Sequence, residues 1–326
     1  MIATGTPFGL GRFAGPDGTF TGLVVGEAVA RLSCVRDGLS DGLPPVAVLA
    51  RWDELADDLS RAAEQAVSGG LETQPVTSLR RLTPVEPRQL LAAGLNYRTH
   101  VIDLMVDQRV GSRPGMGVDE IRAEATAVMD ERTRSGVPFL WVGLPTSVCG
   151  PDDDIVLRAD SERTDWELEL AAVIGVPARD VPRDDALSCV AGWTVANDLT
   201  ARDFVGRDDL GPVGADWLQS KCAPTYKPIG PYLVPAALVE DPQALQIQLR
   251  LNGELMQDET TADMIFDVAS LIAFASRQAQ LLPGDVVLTG SPAGNGSHYD
   301  RWLRPGDVME GSITGLGTQR NRVVSA

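Results

Sequence analysis

The chain has 326 residues, of which 44% are apolar and 22% are charged, and its formal net charge at pH 7 is −17. This composition excludes disordered and fibrous proteins, and the length allows one large domain or two unequal ones. The acidic balance argues against nucleic acid or a membrane surface as a partner, because both select clustered Lys and Arg. No signal segment or membrane-length apolar run is recognisable, so the sequence predicts a cytoplasmic protein.

Residues 1–88 are predicted to form a small N-terminal α/β domain. Apolar stretches punctuated by glycine indicate short strands, and a helical pattern then stops at Gly69-Gly70. A connector with two prolines, residues 83–87, separates this unit from a second domain over residues 89–326. The N-terminal unit carries no evident chemistry.

The second domain opens with a buried strand that breaks at Gly94 into a loop and a short helix. On that helix His100 and Asp103 are three residues apart and share a face. They are either a surface pair or a general base whose imidazole the acid orients. Residues 106–137 are polar and then helical in pattern from 119 to 134, which fits either a mobile lid or a plain surface excursion.

Alternating acids mark the segment from Asp165 to Glu169, which runs into the apolar residues 170–174. In a strand, Asp165, Glu167 and Glu169 would point to one face. Three carboxylates on one face repel one another unless a cation offsets them, so a metal site is one interpretation and a solvent-facing strand edge is the other. Asp198 is a plausible third ligand, because residues 190–203 are predicted to form a strand that ends in a polar cluster.

Lysine is nearly absent from the chain. Of the 28 basic residues only two are lysines, and both Lys221 and Lys227 lie in one short stretch. Because ammonium and guanidinium groups differ in shape and hydration, we interpret at least one of them as functional. Of the two histidines, His298 is expected to be a surface turn residue more readily than a substrate contact, and the tryptophans Trp141, Trp193 and Trp217 are expected in the core.

The last third of the chain indicates a β-rich fold. Residues 245–251 alternate cleanly and turn at Asn252-Gly253, a strong hairpin signal, and residues 285–288 form a strand that ends in a turn at Thr289, Gly290 and Ser291. Strands outnumber helices and do not alternate with them regularly. This excludes a repeated βαβ architecture and predicts a mixed, largely antiparallel barrel or sandwich.

Six ordered motifs over residues 88–322 together resemble the fumarylacetoacetate hydrolase family. They are Gly94-Leu95-Asn96-Tyr97 with His100, Trp166-Glu167-Leu168-Glu169-Leu170, Asn197-Asp198 through Asp203, Lys221 followed by Pro228-Ile229-Gly230-Pro231, Asn252-Gly253, and Pro283 through Pro292. The resemblance implies an α+β, β-rich fold, with a mixed β-sandwich or roll as catalytic domain. It also implies a homodimer that binds Mg²⁺ or Mn²⁺ and processes 2-oxo acids or β-diketones.

The resemblance assigns roles to individual residues. The metal ligands match Glu167, Glu169 and Asp198. Asp165 is expected to stabilise these ligands without binding the metal itself. The catalytic groups match His100, Asp103, Lys221 and Arg202. Substrate contacts are expected from the motif residues Tyr97, Thr289, Gly290 and Ser291.

Several positions depart from the family pattern. Asp103 stands where the family normally has Glu, Val205 where many members have Gln, and neither the lysine near Gly143 nor the acid near Pro224 is present. A less polar or differently shaped substrate than fumarylacetoacetate is therefore expected. The resemblance implies hydrolysis of a carbon–carbon bond in an acylpyruvate or other β-diketone or 2-oxo acid, with His100 and Asp103 as a dyad that activates water. The alternatives are a 2-oxo acid lyase of the oxaloacetate decarboxylase type, an isomerase or hydratase, and a protein that binds a structural cation without catalysis.

Overall fold

The computed structural model describes residues 6–16, 18–107, 109–111, 113–206, 209 and 215–326. The predicted lid and both predicted domains therefore include a few positions outside the described ranges. Within those ranges the strands are β1 Gly9–Gly15, β2 Gly18–Val25, β3 Ala28–Arg31, β4 Gln74–Pro75, β5 Arg80–Leu82, β6 Leu90–Ala93, β7 Leu140–Gly143, β8 Val148–Cys149, β9 Ile155–Val156, β10 Thr164–Asp165, β11 Leu168–Ile174, β12 Val190–Asn197, β13 Thr200–Ala201, β14 Lys227–Pro228, β15 Val234–Pro235, β16 Gln246–Leu251, β17 Glu254–Thr260, β18 Val286–Leu288, β19 Val308–Ile313 and β20 Gly317–Val324.

Helices connect and cover these strands. In the described part of the chain they are α1 Leu32–Val35, α2 Pro45–Leu49, α3 Trp52–Ser68, α4 Arg98–Asp107, α5 Val118–Ser135, α6 Trp217–Lys221, α7 Val268–Gln278 and α8 Gly296–Tyr299. Helix α4 packs against α5 through a small buried cluster that includes Val101, Ile102 and Ile121. None of the described helices combines the length and apolar character needed to cross a membrane.

The N-terminal residues form a five-stranded sheet, in the order β4-β3-β2-β1-β5, which packs against α3. Helix α3 ends at Ser68 and is followed by Gly69, whose φ of 77° is the left-handed conformation that glycine adopts readily; the sequence predicted that the helix would stop here. Leu10 in β1 exchanges two backbone hydrogen bonds with Leu233, each 2.9 Å long. One apolar core continues from this sheet into the second domain.

Two further sheets build the second domain. A six-stranded sheet has the order β15-β12-β11-β18-β6-β7, and a five-stranded sheet has the order β17-β16-β19-β20-β9. They pack face to face over a core that contains Leu168, Leu170 and Leu249. Gly311 lies where β19 meets Leu168, and a Cβ there would overlap the leucine side chain. Most pairings are antiparallel, which confirms the predicted α+β, β-rich sandwich.

Local patterns were predicted well. The hairpin of β16 and β17 turns at Asn252 and Gly253, which have φ values of 54° and 86°, and β6 ends at Ala93 just before Gly94. Helix α5 spans the region where the polar segment was predicted to become helical.

One local prediction was wrong: residues 165–169 do not form a continuous strand. Asp165 belongs to β10, which pairs with β13, whereas β11 begins at Leu168. The break has a specific cause, because the backbone N–H of Glu167 donates to the side chain of Asn197 at 2.8 Å instead of to a neighbouring strand. The three acids therefore do not share one strand face by simple alternation.

Candidate metal and active site

Three buried carboxylates meet where β11 begins and β12 ends, two neighbouring strands inside the six-stranded sheet. Glu167, Glu169 and Asp198 each offer an oxygen that lies within 4.8 Å of the oxygens of the other two. The antiparallel register of β11 and β12 pairs Leu168 with Asn197, and the N–H of Asp198 donates to the carbonyl of Glu167 at 2.8 Å. Strand pairing therefore brings together two parts of the sequence about thirty residues apart.

Cations surround two of these carboxylates. Lys221 Nζ contacts Glu167 and lies 2.6 Å from Asp198 Oδ2, and Lys227 Nζ lies 2.7 Å from Asp198 Oδ1. Arg202 lies 2.6 Å from Glu167 Oε1. Burial favours the neutral acid, but Arg202 and Lys221 together lower the pKa of Glu167 well below its ordinary value. Glu167 is therefore held as a carboxylate.

Glu169 has a different environment. Its side chain accepts a hydrogen bond of 2.7 Å from the N–H of Gly290, and no cation pairs with it among the described residues. Burial, followed by the charges of Asp198 and Glu167, raises the pKa of Glu169 well above its ordinary value. A further positive charge beside this side chain would favour its ionised form.

The donor set fits a divalent metal ion. All three ligand candidates are carboxylates, and oxygen donors are what Mg²⁺ and Mn²⁺ prefer. Asp198 Oδ1 is buried without a hydrogen bond from any described residue, although the ammonium of Lys227 is close. Counting Asp165, the cluster holds four carboxylates against three cations, Arg202, Lys221 and Lys227. A bound divalent cation would more than offset this excess of one negative charge.

Asp165 lies behind the cluster and is fully buried. It pairs with Arg202 Nε at 2.9 Å and accepts hydrogen bonds from the N–H groups of Gly296 at 2.6 Å and Ser297 at 3.2 Å. Burial raises the pKa of Asp165, and Arg202 opposes that effect. This carboxylate fixes the guanidinium that in turn contacts Glu167, and its role in supporting the metal ligands stays a prediction.

His100 faces the same charged cluster from α4. Burial lowers the pKa of His100 to about 4, against the opposing charge of Glu167, so the imidazole is neutral near pH 7. Asp103, predicted to orient it, pairs instead with Arg122 of α5 at 2.8 Å, and the described residues include no hydrogen bond between His100 and Asp103. The structure brings the two residues to one cavity but does not join them as a dyad.

The cavity has a volume of about 520 Å³. The predicted site residues in its wall are His100, Asp103, Glu167, Glu169, Arg202, Lys221 and Ser291. Val205 also lines it, as do Trp141 and Trp217, two tryptophans that the sequence placed only in the core. His298 lines it as well and pairs with Asp107 at 3.4 Å, so its predicted placement as a plain surface turn residue is incomplete.

Tyr97, Thr289 and Gly290 were also predicted to contact substrate, but they are not among the residues that line the cavity. Tyr97 is fully buried, and burial together with the charge of Glu169 raises its pKa well above the ordinary value. The Thr289 hydroxyl donates to the carbonyl of Leu170 at 2.9 Å, and Gly290 donates to Glu169. Gly290 has a φ of 95°, and a Cβ there would lie 3.0 Å from Asn96 Cβ. In this structure Gly290 holds Glu169, and the contact of these residues with substrate stays a prediction.

Sequence reasoning did not assign three residues that belong to the cluster. Lys227 was noted only for its rarity, although it is fully buried against Asp198. The Thr200 hydroxyl donates to Glu167 Oε2 at 3.1 Å, and Asn197 accepts from the Glu167 backbone. The signal for Lys227 was present in the composition; Thr200 and Asn197 are ordinary residue types whose role depends on strand pairing.

Comparison with known proteins gives consistent matches along the chain. Residues 89–324 match the family profile described as fumarylacetoacetate (FAA) hydrolase C-terminal. Human mitochondrial oxaloacetate tautomerase FAHD2B is 34% identical over 265 residues, covering 80% of this chain and 75% of the human protein.

Two solved structures share the whole fold. A probable 2-hydroxyhepta-2,4-diene-1,7-dioate isomerase from Mycobacterium abscessus has a TM-score of 0.72 and 28% identity, and the match covers 98% of this chain and 99% of the other. Maleylpyruvate hydrolase from Sphingobium sp. SYK-6, in complex with manganese(II) and pyruvate, has a TM-score of 0.70 and 27% identity, with coverage of 98% and 99%.

Proposed function

The chain belongs to the fumarylacetoacetate hydrolase family, and we propose that it is a metal-dependent enzyme that hydrolyses a carbon–carbon bond in an acylpyruvate or another β-diketone or 2-oxo acid. The observation that carries this proposal is Glu169, a buried carboxylate beside Glu167 and Asp198 that has no cation partner among the described residues. It lies in the wall of a cavity that also contains a neutral imidazole. Members of the family include hydrolases, isomerases and tautomerases.

Glu167, Glu169 and Asp198 would hold Mg²⁺ or Mn²⁺. The bound ion would supply a Lewis acid for the two neighbouring oxygens of a 2-oxo acid, and manganese(II) with pyruvate in the related Sphingobium hydrolase supports this choice. Arg202 keeps Glu167 ionised and in place. Lys221 reaches the same cavity and would donate to the oxygen on which negative charge develops.

His100 is the general base of the proposed reaction. Its neutral imidazole accepts a proton from a water molecule, and the resulting oxygen nucleophile adds to the acyl carbonyl carbon of the substrate. The bond between that carbon and the adjacent methylene carbon then breaks, and its electron pair remains with the pyruvate fragment as an enolate. Proton return to the methylene carbon gives pyruvate and a carboxylic acid.

A tautomerase is the second candidate. The human relative is named as an oxaloacetate tautomerase, and such a reaction moves one proton between carbon and oxygen without activating water. His100 alone suffices for that transfer, whereas a hydrolase benefits from an acid that orients the imidazole. The pairing of Asp103 with Arg122 rather than with His100 favours this second candidate.

Product analysis separates the two candidates. Purified protein with Mg²⁺ or Mn²⁺ is incubated with acylpyruvates and with oxaloacetate, and pyruvate release and keto–enol exchange are both measured. Hydrolysis predicts equal amounts of pyruvate and carboxylic acid, lost with chelator and in His100→Ala. Accelerated exchange without pyruvate release would instead establish the tautomerase. Full activity in His100→Ala, or in metal-stripped protein, would reject both.

Three wider proposals accompany this function. We propose that the small-molecule substrate is bound by a homodimer, which light scattering of the purified protein tests. The match that begins at residue 89 supports the proposed division into an N-terminal unit, residues 1–88, and a catalytic domain. A cytoplasmic location stays a prediction of the sequence; the human relative does not support it, because that protein is mitochondrial.

A further inference from the structure

Arg163 lines the same cavity as Glu167 and Glu169 but belongs to none of the ion pairs described above. It directly precedes β10, and its backbone carbonyl accepts a hydrogen bond of 2.9 Å from the N–H of Arg202. Its guanidinium lies over the ring of Trp302, 5.3 Å from the centroid, and Trp302 also lines the cavity. The strand pairing and the cation–π contact hold this cation at the cavity wall.

The other lining cations already have acidic partners. Arg202 pairs with Asp165 and Glu167, and Lys221 pairs with Glu167 and Asp198. The imidazole of His298 lies 3.4 Å from the carboxylate of Asp107. Across the described ranges, Arg163 has no carboxylate within ion-pair distance, although Asp300 lines the cavity too. The five donors of its guanidinium are therefore available for an anionic group that enters the cavity.

We propose that Arg163 determines specificity by binding a second carboxylate, at the end of the substrate remote from the 2-oxo acid group. The inference rests on the proposed function, because it takes the 2-oxo acid end to lie at Glu167, Glu169 and Asp198. A volume of about 520 Å³ accommodates such a molecule, within the usual range for small-ligand sites. A guanidinium binds a carboxylate through two parallel hydrogen bonds. Arg163 would therefore raise the affinity for a diacid above that for an acid of the same length that ends in a methyl group.

Matched ligands test this directly. Straight-chain 2-oxo diacids of four to seven carbons are compared with 2-oxo monoacids of the same length, by calorimetry in the presence of Mn²⁺. We expect the parent to bind at least one diacid about 10- to 100-fold more tightly than its methyl-ended partner, the range for hydrogen bonds to a charged group. Arg163→Gln should lose that preference and keep its affinity for monoacids within about twofold.

Arg179→Gln is the matched control, because Arg179 is an exposed arginine that pairs with Asp180 at 3.0 Å and does not line the cavity. It should behave like the parent with every ligand. The inference is overturned if Arg163→Gln keeps the diacid preference, or if the parent shows none; in both cases metal-dependent binding of monoacids leaves the proposed function standing. If 2-oxo acids of neither kind bind with Mn²⁺, the proposed function fails and the role of Arg163 falls with it.

Discussion

Replacing Lys227 by Met tests the charge balance of the carboxylate cluster. Lys227 is fully buried, its ammonium lies 2.7 Å from Asp198 Oδ1, and it donates to the backbone carbonyl of Lys221. Met keeps an unbranched chain of similar volume, so the change removes charge and hydrogen bonds without opening a large cavity.

The expected loss follows from these contacts. Removing one partner of a buried ion pair costs about 3–5 kcal/mol, and a buried carbonyl that loses its donor costs about 1–3 kcal/mol. Lys221 still lies 2.6 Å from the other oxygen of Asp198, so that carboxylate is not left without a cation. We therefore expect Lys227→Met to lower the free energy of unfolding in chelator by about 3–5 kcal/mol, the range for the ion pair alone.

Urea unfolding, followed by fluorescence and circular dichroism, measures this loss. Asp198→Asn and the double variant complete a cycle, and we expect a coupling energy of about 1–3 kcal/mol between the two positions. Arg179→Met is the surface control and should change stability by about 0.5 kcal/mol or less. Excess Mn²⁺ should restore more stability to Lys227→Met than it adds to the parent, because the ion replaces the lost positive charge.

Two results would refute this reasoning. A loss below about 1 kcal/mol would show that the buried ammonium contributes little beyond filling space. Effects of Lys227→Met and Asp198→Asn that add within about 0.5 kcal/mol would show that the two side chains do not act together.

Three further variants test neighbouring parts of the site. Glu169→Gln removes a carboxylate whose charged form is disfavoured by burial and by the neighbouring acids. In chelator its free energy of unfolding should therefore be about 1 kcal/mol higher than that of the parent, and added Mn²⁺ should no longer stabilise the protein. Urea unfolding at increasing Mn²⁺ concentrations measures both effects. Asp103→Asn should lower kcat by less than about tenfold, against about 10²–10⁴ for His100→Ala, because Asp103 contacts Arg122 instead of the base; steady-state kinetics with an acylpyruvate decide this. Gly290→Ala should destabilise by about 1–3 kcal/mol and weaken Mn²⁺ binding in calorimetry, since its φ of 95° suits glycine and its N–H holds Glu169.

Patterns carried within one element were predictable from the sequence. The Asn252-Gly253 hairpin and the end of β6 before Gly94 depend on neighbouring residues and elementary backbone preferences. The sequence also indicated the acids at 167 and 169 and, at the end of a later strand, Asp198 as a third ligand. The pairing of β11 with β12, which brings the three together, was not predicted.

Features that depend on distant side chains were not predictable. The strand breaks before Leu168 because the Asn197 side chain takes the N–H of Glu167. Asp103 turns from His100 because α5 packs on α4 and presents Arg122, nineteen residues further along the chain. The spacing of residues along the chain carries no information about such contacts. Spacing alone therefore paired Asp103 with His100 and could not reveal the competing arginine.

The presence of a lysine at position 227 has a physical explanation in the cluster. Lys227 donates to the carbonyl of Lys221 and lies 3.5 Å from that of Leu199 and 3.4 Å from that of Tyr226, with Asp198 on another side. These acceptors surround a compact ammonium, whose three protons can point in different directions, whereas the planar fork of a guanidinium cannot reach them from a fully buried position. An arginine at 227 would leave carbonyls unpaired and displace the 221–227 loop that positions Lys221. The two lysines therefore persist in an arginine-rich chain because the site requires the shape of an ammonium group as well as its charge.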